Sequence, residues 1–302
     1  MFTSTLLAQT AEPQGFLGWV DRLARTPLSQ VVIFVAICTV IRFALWPYLA
    51  RTAPHQRYGG YTAAKLFNEF LDAVIYAGVF VFLIIRPFLV QTFYIPSGSM
   101  IQTLQIKDYI IANKLVYRYS DPQNGDIVVF KPPKRALFAH QGETDFIKRL
   151  QGKPGDVVEW TNNVLYRNGK AVDEPYKCFT VNDPPGSTRF RNLTPEEIEA
   201  QVPRADFRLV KYKGKLIPIN IVDGIVNPGP PYNAVEFAIP PEDQEIVKGL
   251  PAEPVPPGHY LFMGDNRNNS FDGRGWGLVT RDAIIGRSEC IWLPFSRWRI
   301  TR

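Results

Sequence analysis

The chain has 302 residues, of which 46% are apolar, enough for one large or two medium domains with a sizeable core. Its formal net charge of +6 comes from basic residues spread along the whole sequence, so a nucleic-acid-binding surface is not indicated. Cys38, Cys178 and Cys290 are too few and too far apart to indicate a disulfide framework or a zinc site. The sequence leaves undecided whether Cys178 and Cys290 form a disulfide bridge.

The N-terminal part contains a first candidate membrane span. Residues 1–27 lack the pattern of a removable signal peptide and are interpreted as a short amphipathic or irregular leader. Residues 28–50 are apolar and, at about 1.5 Å per residue, long enough to cross a hydrocarbon layer about 30 Å thick. Arg42 and Pro47 interrupt this run, and Arg42 is costly in a bilayer unless it pairs or reaches the interface. An amphipathic or buried helix is the alternative.

A basic stretch and a second apolar run follow. Residues 51–69 carry Arg51, His55, Arg57 and Lys65 against Glu69. This excess of positive charge predicts a cytoplasmic loop. Residues 70–90 form the second predicted span, with Asp72 and Arg86 near its ends. Two spans joined by a cytoplasmic loop predict that residues 91–302 lie on the outer side of the membrane.

Beyond the second span, short β-branched and aromatic runs alternate with Gly, Pro and Asn, a pattern typical of an all-β domain. The clearest strand candidates are Tyr109–Ala112, Ile127–Phe130, Phe146–Leu150, Val157–Trp160, Val164–Tyr166 and Tyr260–Met263. Thr194-Pro195-Glu196-Glu197 is the one clear helix start, a capping box with proline at the first helical position. Residues 227–257 are rich in proline and are interpreted as an extended surface connection.

The segment Tyr94–Met100 contains a candidate nucleophile. Ser97 and Ser99 are two hydroxyls separated by Gly98, directly after the second apolar run. Such an arrangement fits an attacking serine beside a second hydrogen-bonding group. Since Pro, Ser and Gly are the ordinary turn residues, a simple turn explains the segment equally well.

An attacking serine needs a base. The three histidines, His55, His140 and His259, have no acid placed to suggest a partner, although a triad can be built from distant residues. Lys148 is the other candidate. In a strand it shares one face with Phe146 and Leu150, so burial can lower its pKa far enough to make it an uncharged base. A solvated strand lysine is the alternative.

The segment from Gly264 to Gly277 is dense in Gly, Asn, Asp and Arg. It fits a long turn held by Asx hydrogen bonds and ion pairs. Because it follows an apolar strand, it fits equally a rigid loop that presents Ser270 to a site.

Several motifs, taken together and in this order, resemble the type I signal peptidases, the bacterial leader peptidases of the Ser/Lys class. The motifs are Ile95-Pro96-Ser97-Gly98-Ser99-Met100, Thr103-Leu104 with Asp108, Gly125-Asp126-Ile127-Val128 with Phe130, Phe146-Ile147-Lys148-Arg149 with Gly152, Pro154-Gly155-Asp156, and Gly264-Asp265-Asn266-Arg267-Asn269-Ser270 with Asp272 and Arg274. The resemblance runs from about Tyr94 to Phe295. It implies a mainly β fold: an extracytoplasmic all-β catalytic domain with an insertion at about 172–257, preceded by two transmembrane helices.

The resemblance also implies roles for individual residues. Ser99 corresponds to the family nucleophile and Lys148 to its general base. Ser97 matches the hydroxyl that forms the oxyanion hole with the Ser99 backbone N–H, and Ser270 matches the serine that orients the lysine. No metal or cofactor is implied.

The remaining matches form a supporting loop. They are Gly264, Asp265, Asn266, Arg267, Asp272 and Arg274, the last two matching an ion pair. Asn268 and Gly273 depart from the family, where Asp and Ser are often found, and this puts the packing of the loop in doubt more than its chemistry.

The expected substrates are exported preproteins, cleaved after small residues of the Ala-X-Ala type at the outer face of the bacterial inner membrane. The substrate is expected to bind as an added strand beside the catalytic segment. Ile95, Met100 and Ile101, with Phe93, are expected to line the subsites or to enter lipid.

Two other classes of protein are alternatives to a signal peptidase. A membrane-anchored β-domain that binds or assembles exported proteins would share the spans and strands, but it would have no need for Ser99, Lys148 and Ser270 together. A Ser/Lys repressor autoprotease would need a DNA-binding helix-turn-helix and no membrane span, and residues 1–90 indicate the opposite.

Overall fold

The structure, a computed structural model, describes residues 26–137, 144–227 and 237–301. The predicted leader, apart from its last two residues, and His140 lie outside these ranges. The described residues belong to two compact units, a helical one that ends at Thr92 and a β-rich one that begins at Phe93.

The helical unit contains two long apolar helices. Helix α1 spans Leu28–Arg51, with Pro47 in its last turns. Helix α2 spans Gly60–Val79 and continues as a π-helix over Phe80–Leu89. The segments Leu28–Arg51 and Gly60–Leu83 are long and apolar enough to cross a membrane. Most large apolar side chains of α1 are exposed, so α1 is not a buried helix, which was one of the two alternatives, an amphipathic or a buried helix.

The predicted loop over residues 51–69 is wrong in its second half. Helix α2 begins at Gly60, ten residues earlier than predicted, so the connection between the helices covers only residues 52–59. The segment after Gly60 contains good helix formers, and Lys65 and Glu69 form an i,i+4 pair at 3.7 Å. Charge suggested a loop, but these residues form a polar first part of the helix.

The early start of α2 changes the position of Asp72, which lies within the helix and not near its end. Arg42 of α1 forms an ion pair with Asp72 and donates a second hydrogen bond, of 3.4 Å, to Asn68 of α2. Both charged side chains are about one third exposed (33% and 36%). The pair therefore satisfies the arginine that seemed costly in the sequence, and it joins the two helices at mid-length.

Replacing Arg42 by leucine is expected to leave Asp72 without its partner. The expected loss is roughly 2.5–3.5 kcal/mol of unfolding free energy, the scale for an ionised Asp in the middle of an apolar helix in a lipid-like medium such as a micelle. The double variant Arg42→Leu/Asp72→Leu should recover most of it. The measurement is denaturant unfolding of the full chain in detergent micelles, and equal stability of the single and double variants would contradict the pairing.

The β-rich unit is built on an eight-stranded antiparallel sheet. Its strand order is β1-β2-β15-β3-β4-β13-β14, with β16 paired to β15. The strands are β1 (Val90–Tyr94), β2 (Tyr109–Asn113), β3 (Ile127–Phe130), β4 (Phe146–Gly152), β13 (His259–Met263), β14 (Val279–Thr280), β15 (Ile284–Leu293) and β16 (Arg299–Ile300).

Both faces of this sheet are buried. In β3, Val128 and Phe130 pack in one apolar cluster, whereas Ile127 and Val129 pack in the other. This follows from the two-residue repeat of a strand. The same alternation holds in β4, where Phe146 and Leu150 share the first cluster and Ile147 joins the second, as predicted.

A second sheet has six strands in the order β12-β11-β10-β5-β6-β7, and a separate hairpin pairs β8 with β9. The strands are β5 (Val158–Thr161), β6 (Val164–Arg167), β7 (Lys170–Ala171), β8 (Thr180–Asn182), β9 (Phe190–Asn192), β10 (Ala205–Tyr212), β11 (Lys215–Val222) and β12 (Ile225–Val226). Leu261 and Met263 of β13 pack in one core with Trp160 and Phe207 of the second sheet. The sheets therefore share an apolar core.

Four short helices complete the β-rich unit among the described residues. They are α3 (Val116–Tyr119), α4 (Pro195–Gln201), α5 (Gln244–Lys248) and α6 (Gly273–Trp276). The predicted capping box is present: Thr194 accepts from Glu197 N, and the Glu197 carboxylate accepts from Thr194 N at the start of α4.

The insertion at residues 172–257 contributes to the second sheet, and one expectation about it is wrong. The insertion contributes the long hairpin β10–β11, which pairs with β5 and so extends the second sheet. The proline-rich part is not wholly a surface connection, because Phe237 and Val247 are buried against that hairpin. Residues 228–236 lie outside the described ranges. Cys178 and Cys290 are both free thiols, so the bridge left open by the sequence is absent.

Candidate active site

Ser99 lies in a tight turn that follows β1. Gly98–Met100 form a single 3₁₀ turn, and all three residues are buried. Below the turn, Met100 and Leu104 pack into the cluster that covers one face of the large sheet. The apolar residues around the serine therefore anchor the turn, and the serine hydroxyl is held at the edge of the core.

Lys148 reaches Ser99 from β4. Its Nζ lies 2.7 Å from Ser99 Oγ and 3.1 Å from the Ile147 carbonyl oxygen. The side chain is only 6% exposed and lies 5.5 Å from the centre of the Phe146 ring. The solvated lysine that was the alternative is therefore excluded.

Burial changes the acidity of this lysine. Desolvation lowers the pKa of Lys148 from 10.5 to about 8, although Asp272 and Asp265 act in the opposite direction. No carboxylate of the described residues lies within ion-pair distance of the amine. A substantial fraction of Lys148 is therefore uncharged near pH 8.

Two further serines lie at the site. Ser97 Oγ is 3.3 Å from Ser99 Oγ. Ser270 is close to Gly264, where an added Cβ would lie 2.6 Å from both Ser270 Cβ and the Ser99 carbonyl oxygen. The buried Ser270 Oγ makes no hydrogen bond of normal geometry within the described residues, yet it is near enough to Asp272 to help lower the pKa of that carboxyl. Ser270 thus reaches the site without a hydrogen bond to Lys148.

The loop after β13 is held by buried ion pairs. Arg149 donates to both oxygens of Asp265 at 2.8 and 2.7 Å, and Thr103 donates to the same carboxylate at 2.5 Å. Arg274 donates to both oxygens of Asp272 at 2.9 and 3.0 Å. The predicted supporting pair is therefore present, and Arg274 strongly opposes the effect of burial, so that the pKa of Asp272 is lowered.

Asn266 connects this loop to the serine turn. Its Nδ2 donates to the Gly98 carbonyl oxygen at 3.0 Å and its backbone N–H donates to the Ser99 carbonyl oxygen at 3.1 Å. Both peptide units that flank Ser99 are held by one residue. The carbonyl groups on either side of Ser99 thus have fixed directions.

The segment from Glu174 to Thr180 belongs to the site, although no sequence motif marked it. Glu174 is buried and forms a two-point ion pair with Arg267, whose Nε also donates to the Gly264 carbonyl oxygen at 2.9 Å. The guanidinium of Arg267 lies 4.6 Å from the centre of the Trp160 ring, within the range of a cation–π contact. This segment therefore supplies the carboxylate that balances the third buried arginine.

The backbone of Cys178 pairs with the loop that follows β13, at Asn266. Cys178 N donates to the Asp265 carbonyl oxygen and Arg267 N donates to the Cys178 carbonyl oxygen, both at 2.9 Å. The Cys178 thiol donates to the Ile101 carbonyl oxygen at 2.6 Å. Burial raises the pKa of this thiol to about 12, so it stays protonated near neutral pH.

The two departures from the family pattern have local explanations. Asn268 exchanges two hydrogen bonds of 2.9 Å with the backbone of Thr180, which fixes the loop to the neighbouring segment. At Gly273 an added Cβ would lie 2.7 Å from both Leu261 Cδ1 and the Phe262 carbonyl oxygen, so glycine is the residue that fits. Neither departure loosens the loop.

Other sequence candidates are placed as follows. Ile95, Met100 and Ile101 are buried, so none of them enters lipid as an exposed side chain. His259 makes a hydrogen bond of 3.0 Å between Nδ1 and the Pro257 carbonyl oxygen and has no described contact with Ser99. His55 lies in the helical unit. Nothing in the described residues supports a histidine base.

Comparison with known proteins places the chain in one family. The family model described as "Signal peptidase, peptidase S26" matches residues 67–293. The signal peptidase I of Aquifex aeolicus (strain VF5) is 34% identical over 227 residues, which cover 70% of this chain and 78% of that protein. The signal peptidase I of Buchnera aphidicola subsp. Schizaphis graminum (strain Sg) is 33% identical over 251 residues, or 72% of each chain.

These matches define the chain as a serine peptidase. It belongs to the signal peptidase family, peptidase S26, and is a peptidase that removes signal peptides. This family is membrane-anchored, and the two long apolar helices at the N-terminus are compatible with such an anchor.

Replacing Glu174 by alanine is expected to leave the Arg267 guanidinium buried without its carboxylate. Breaking a buried pair in this way costs roughly 3–5 kcal/mol, which denaturant unfolding would detect. Glu199→Ala, an exposed position on α4, is the matched control and should change stability by less than about 0.5 kcal/mol. Equal effects of the two changes would contradict a structural role for Glu174.

Proposed function

We propose that the chain removes signal peptides through an acyl-enzyme in which Ser99 is the nucleophile and Lys148 is the general base. The observation that carries this proposal is the 2.7 Å contact between Lys148 Nζ and Ser99 Oγ at a buried position. A serine hydroxyl is a weak nucleophile, and a neighbouring uncharged base is one of the few ways to activate it.

In the first step the neutral Lys148 amine accepts the proton of Ser99 as the Ser99 oxygen attacks the scissile carbonyl carbon. The lowered pKa of Lys148, about 8, supports this role, because an amine with the usual value would almost always be charged at physiological pH. The lysine is an ammonium ion after the transfer.

The negative charge that develops on the carbonyl oxygen needs hydrogen-bond donors. We assign this role to the Ser97 hydroxyl and the Ser99 backbone N–H. Asn266 supports the second assignment, because it holds the Gly98 carbonyl oxygen, and the N–H of the same planar peptide points the opposite way. The Ser99 N–H is thus oriented before the substrate arrives, as electrostatic stabilisation requires.

The Lys148 ammonium then donates its proton to the leaving amine, and the amine-terminated mature protein departs. The same lysine, neutral again, accepts a proton from a water molecule that attacks the acyl carbon. The ester bond to Ser99 then breaks, Lys148 returns this proton to Ser99 Oγ, and the signal peptide leaves with a new carboxyl group. Ser270 is proposed to orient Lys148, and its buried hydroxyl without a normal hydrogen bond is available for that contact. The Arg149–Asp265 and Arg274–Asp272 pairs fix the loop that carries Ser270.

The proposed substrates are exported preproteins with small residues of the Ala-X-Ala type before the cleavage site. They are proposed to bind as an added strand beside Tyr94–Ser97, and Ile95, Met100 and Ile101 form the apolar floor below it. Helices α1 and α2 are proposed to span the bacterial inner membrane, with residues 91–302 on the periplasmic side.

Cleavage of a test preprotein with an Ala-X-Ala site, by detergent-solubilised protein, tests this proposal. Ser99→Ala, Lys148→Met and Lys148→Arg are expected to abolish cleavage, the last because arginine stays charged in proteins. Ser97→Ala should cleave roughly 10²–10³-fold more slowly, the usual cost of one lost oxyanion donor.

Lys248→Met is the matched control. Lys248, on α5, is also partly buried (27% exposed), and its Nζ donates to Glu245 Oε1 at 2.5 Å. It should keep nearly full activity. Cleavage by a correctly folded Lys148→Met variant at the rate of the unchanged protein would rule out the dyad.

A further inference from the structure

The β8–β9 hairpin is attached to the site at its base. Besides the two hydrogen bonds between the Asn268 side chain and the Thr180 backbone, Asn266 Nδ2 donates to Thr180 Oγ1 at 2.8 Å. Leu193 N, just after β9, donates to the Phe179 carbonyl oxygen at 2.9 Å. The hairpin is therefore held on the same loop that fixes the Ser99 turn.

One side chain of the hairpin reaches the serine turn. Phe190, the first residue of β9, has its ring against Gly98: a Cβ added there would lie 2.5 and 2.7 Å from two ring carbons. Gly98 has no side chain and is buried, whereas Phe190 is only partly buried. Part of an aromatic ring thus remains open to solvent beside the residue that separates Ser97 from Ser99.

The direction of the substrate follows from the proposed function, on which this inference rests. Signal-peptide residues lie beside Tyr94–Ser97, and the scissile carbonyl lies at Ser97 and Ser99. The chain beyond the scissile bond must then continue past Gly98, on the side of the Phe190 ring. The first residues of the mature protein therefore meet the hairpin.

We propose that Phe190 is a specificity-determining residue that forms the wall beside the first residue of the mature protein and limits its size. The ring is suited to this because it belongs to a paired strand, where Phe190 faces Asn182, and it lies over a turn that Asn266 holds in place. The backbone on both sides of the contact is therefore fixed, so only a change of the Phe190 rotamer can move the wall aside for a large side chain.

Two test preproteins that differ only in the first mature residue, alanine or tryptophan, provide the experiment. The unchanged protein is expected to cleave the tryptophan substrate at least about tenfold less efficiently, in the range that pocket size alone gives. Phe190→Ala should reduce this ratio of kcat/KM values to about threefold or less, and Phe190→Leu should give an intermediate ratio. The ratio is compared within each protein, so a change in activity that is common to both substrates does not affect it.

Val181→Ala is the matched control, because Val181 lies on the paired strand β8 and packs on the core, whereas the side chains nearest to Gly98 are those of Phe190 and Ile101. It should leave the ratio unchanged. An unchanged ratio in Phe190→Ala would overturn the proposal, as would an equal drop in Val181→Ala. Cleavage of the alanine substrate depends on Ser99 and Lys148, whatever the ratio between the two substrates is. If the unchanged protein does not cleave the alanine substrate, the dyad has failed. If it cleaves that substrate but Phe190→Ala leaves the ratio unchanged, the proposal for Phe190 has failed.

Discussion

The site depends on one constraint. The Lys148 amine is buried, and no carboxylate is to lie within ion-pair distance of it. A carboxylate in contact would stabilise the ammonium form and raise the pKa again. The structure contains three buried arginines nearby, and each takes one carboxylate at short range, in the pairs Arg149–Asp265, Arg267–Glu174 and Arg274–Asp272. The acids are thus engaged, and Lys148 is left with the hydroxyl of Ser99 and a carbonyl oxygen.

The same pairs explain why distant parts of the chain meet at the site. Arg149 follows Lys148 in β4, so the strand that buries the lysine also anchors Asp265 of the loop. The insertion contributes Glu174, and β5 contributes Trp160, whose ring lies 4.6 Å from Arg267 and 5.8 Å from Arg274. The second sheet therefore shields the ion pairs from water, where their attraction would be weaker.

Much of this arrangement could be predicted from the sequence. Strand alternation placed Lys148 between Phe146 and Leu150, and the structure has these two apolar residues in one cluster. The capping box at Thr194 and strands such as Ile127–Phe130 needed only local patterns. The start of α2 at Gly60 differs from the prediction, because the charges of residues 51–69 indicate a loop whereas the helix propensity of residues 60–69 favours a helix.

Glu174 and Phe190 could not be predicted in the same way, because their partners are far away in the chain. Glu174 pairs with a residue 93 positions later, and no local pattern encodes such a contact. The motifs give no hint of it, because their acids, which include Asp108, Asp126 and Asp156, outnumber their arginines. Phe190 left no signal either, since the glycine it covers also fits an ordinary turn.

The dependence of kcat/KM on pH, for a substrate without groups that titrate between pH 6 and 10, tests the central claim most directly. The pKa of Lys148 is lowered from 10.5 to about 8, and only the neutral amine accepts the Ser99 proton. We therefore expect kcat/KM to rise with pH through an inflection near 8 and then to level off, because this profile reports groups of the free enzyme. An inflection near 6.5, the usual histidine value, or one near 10.4, the usual lysine value, would contradict a buried neutral lysine as the base.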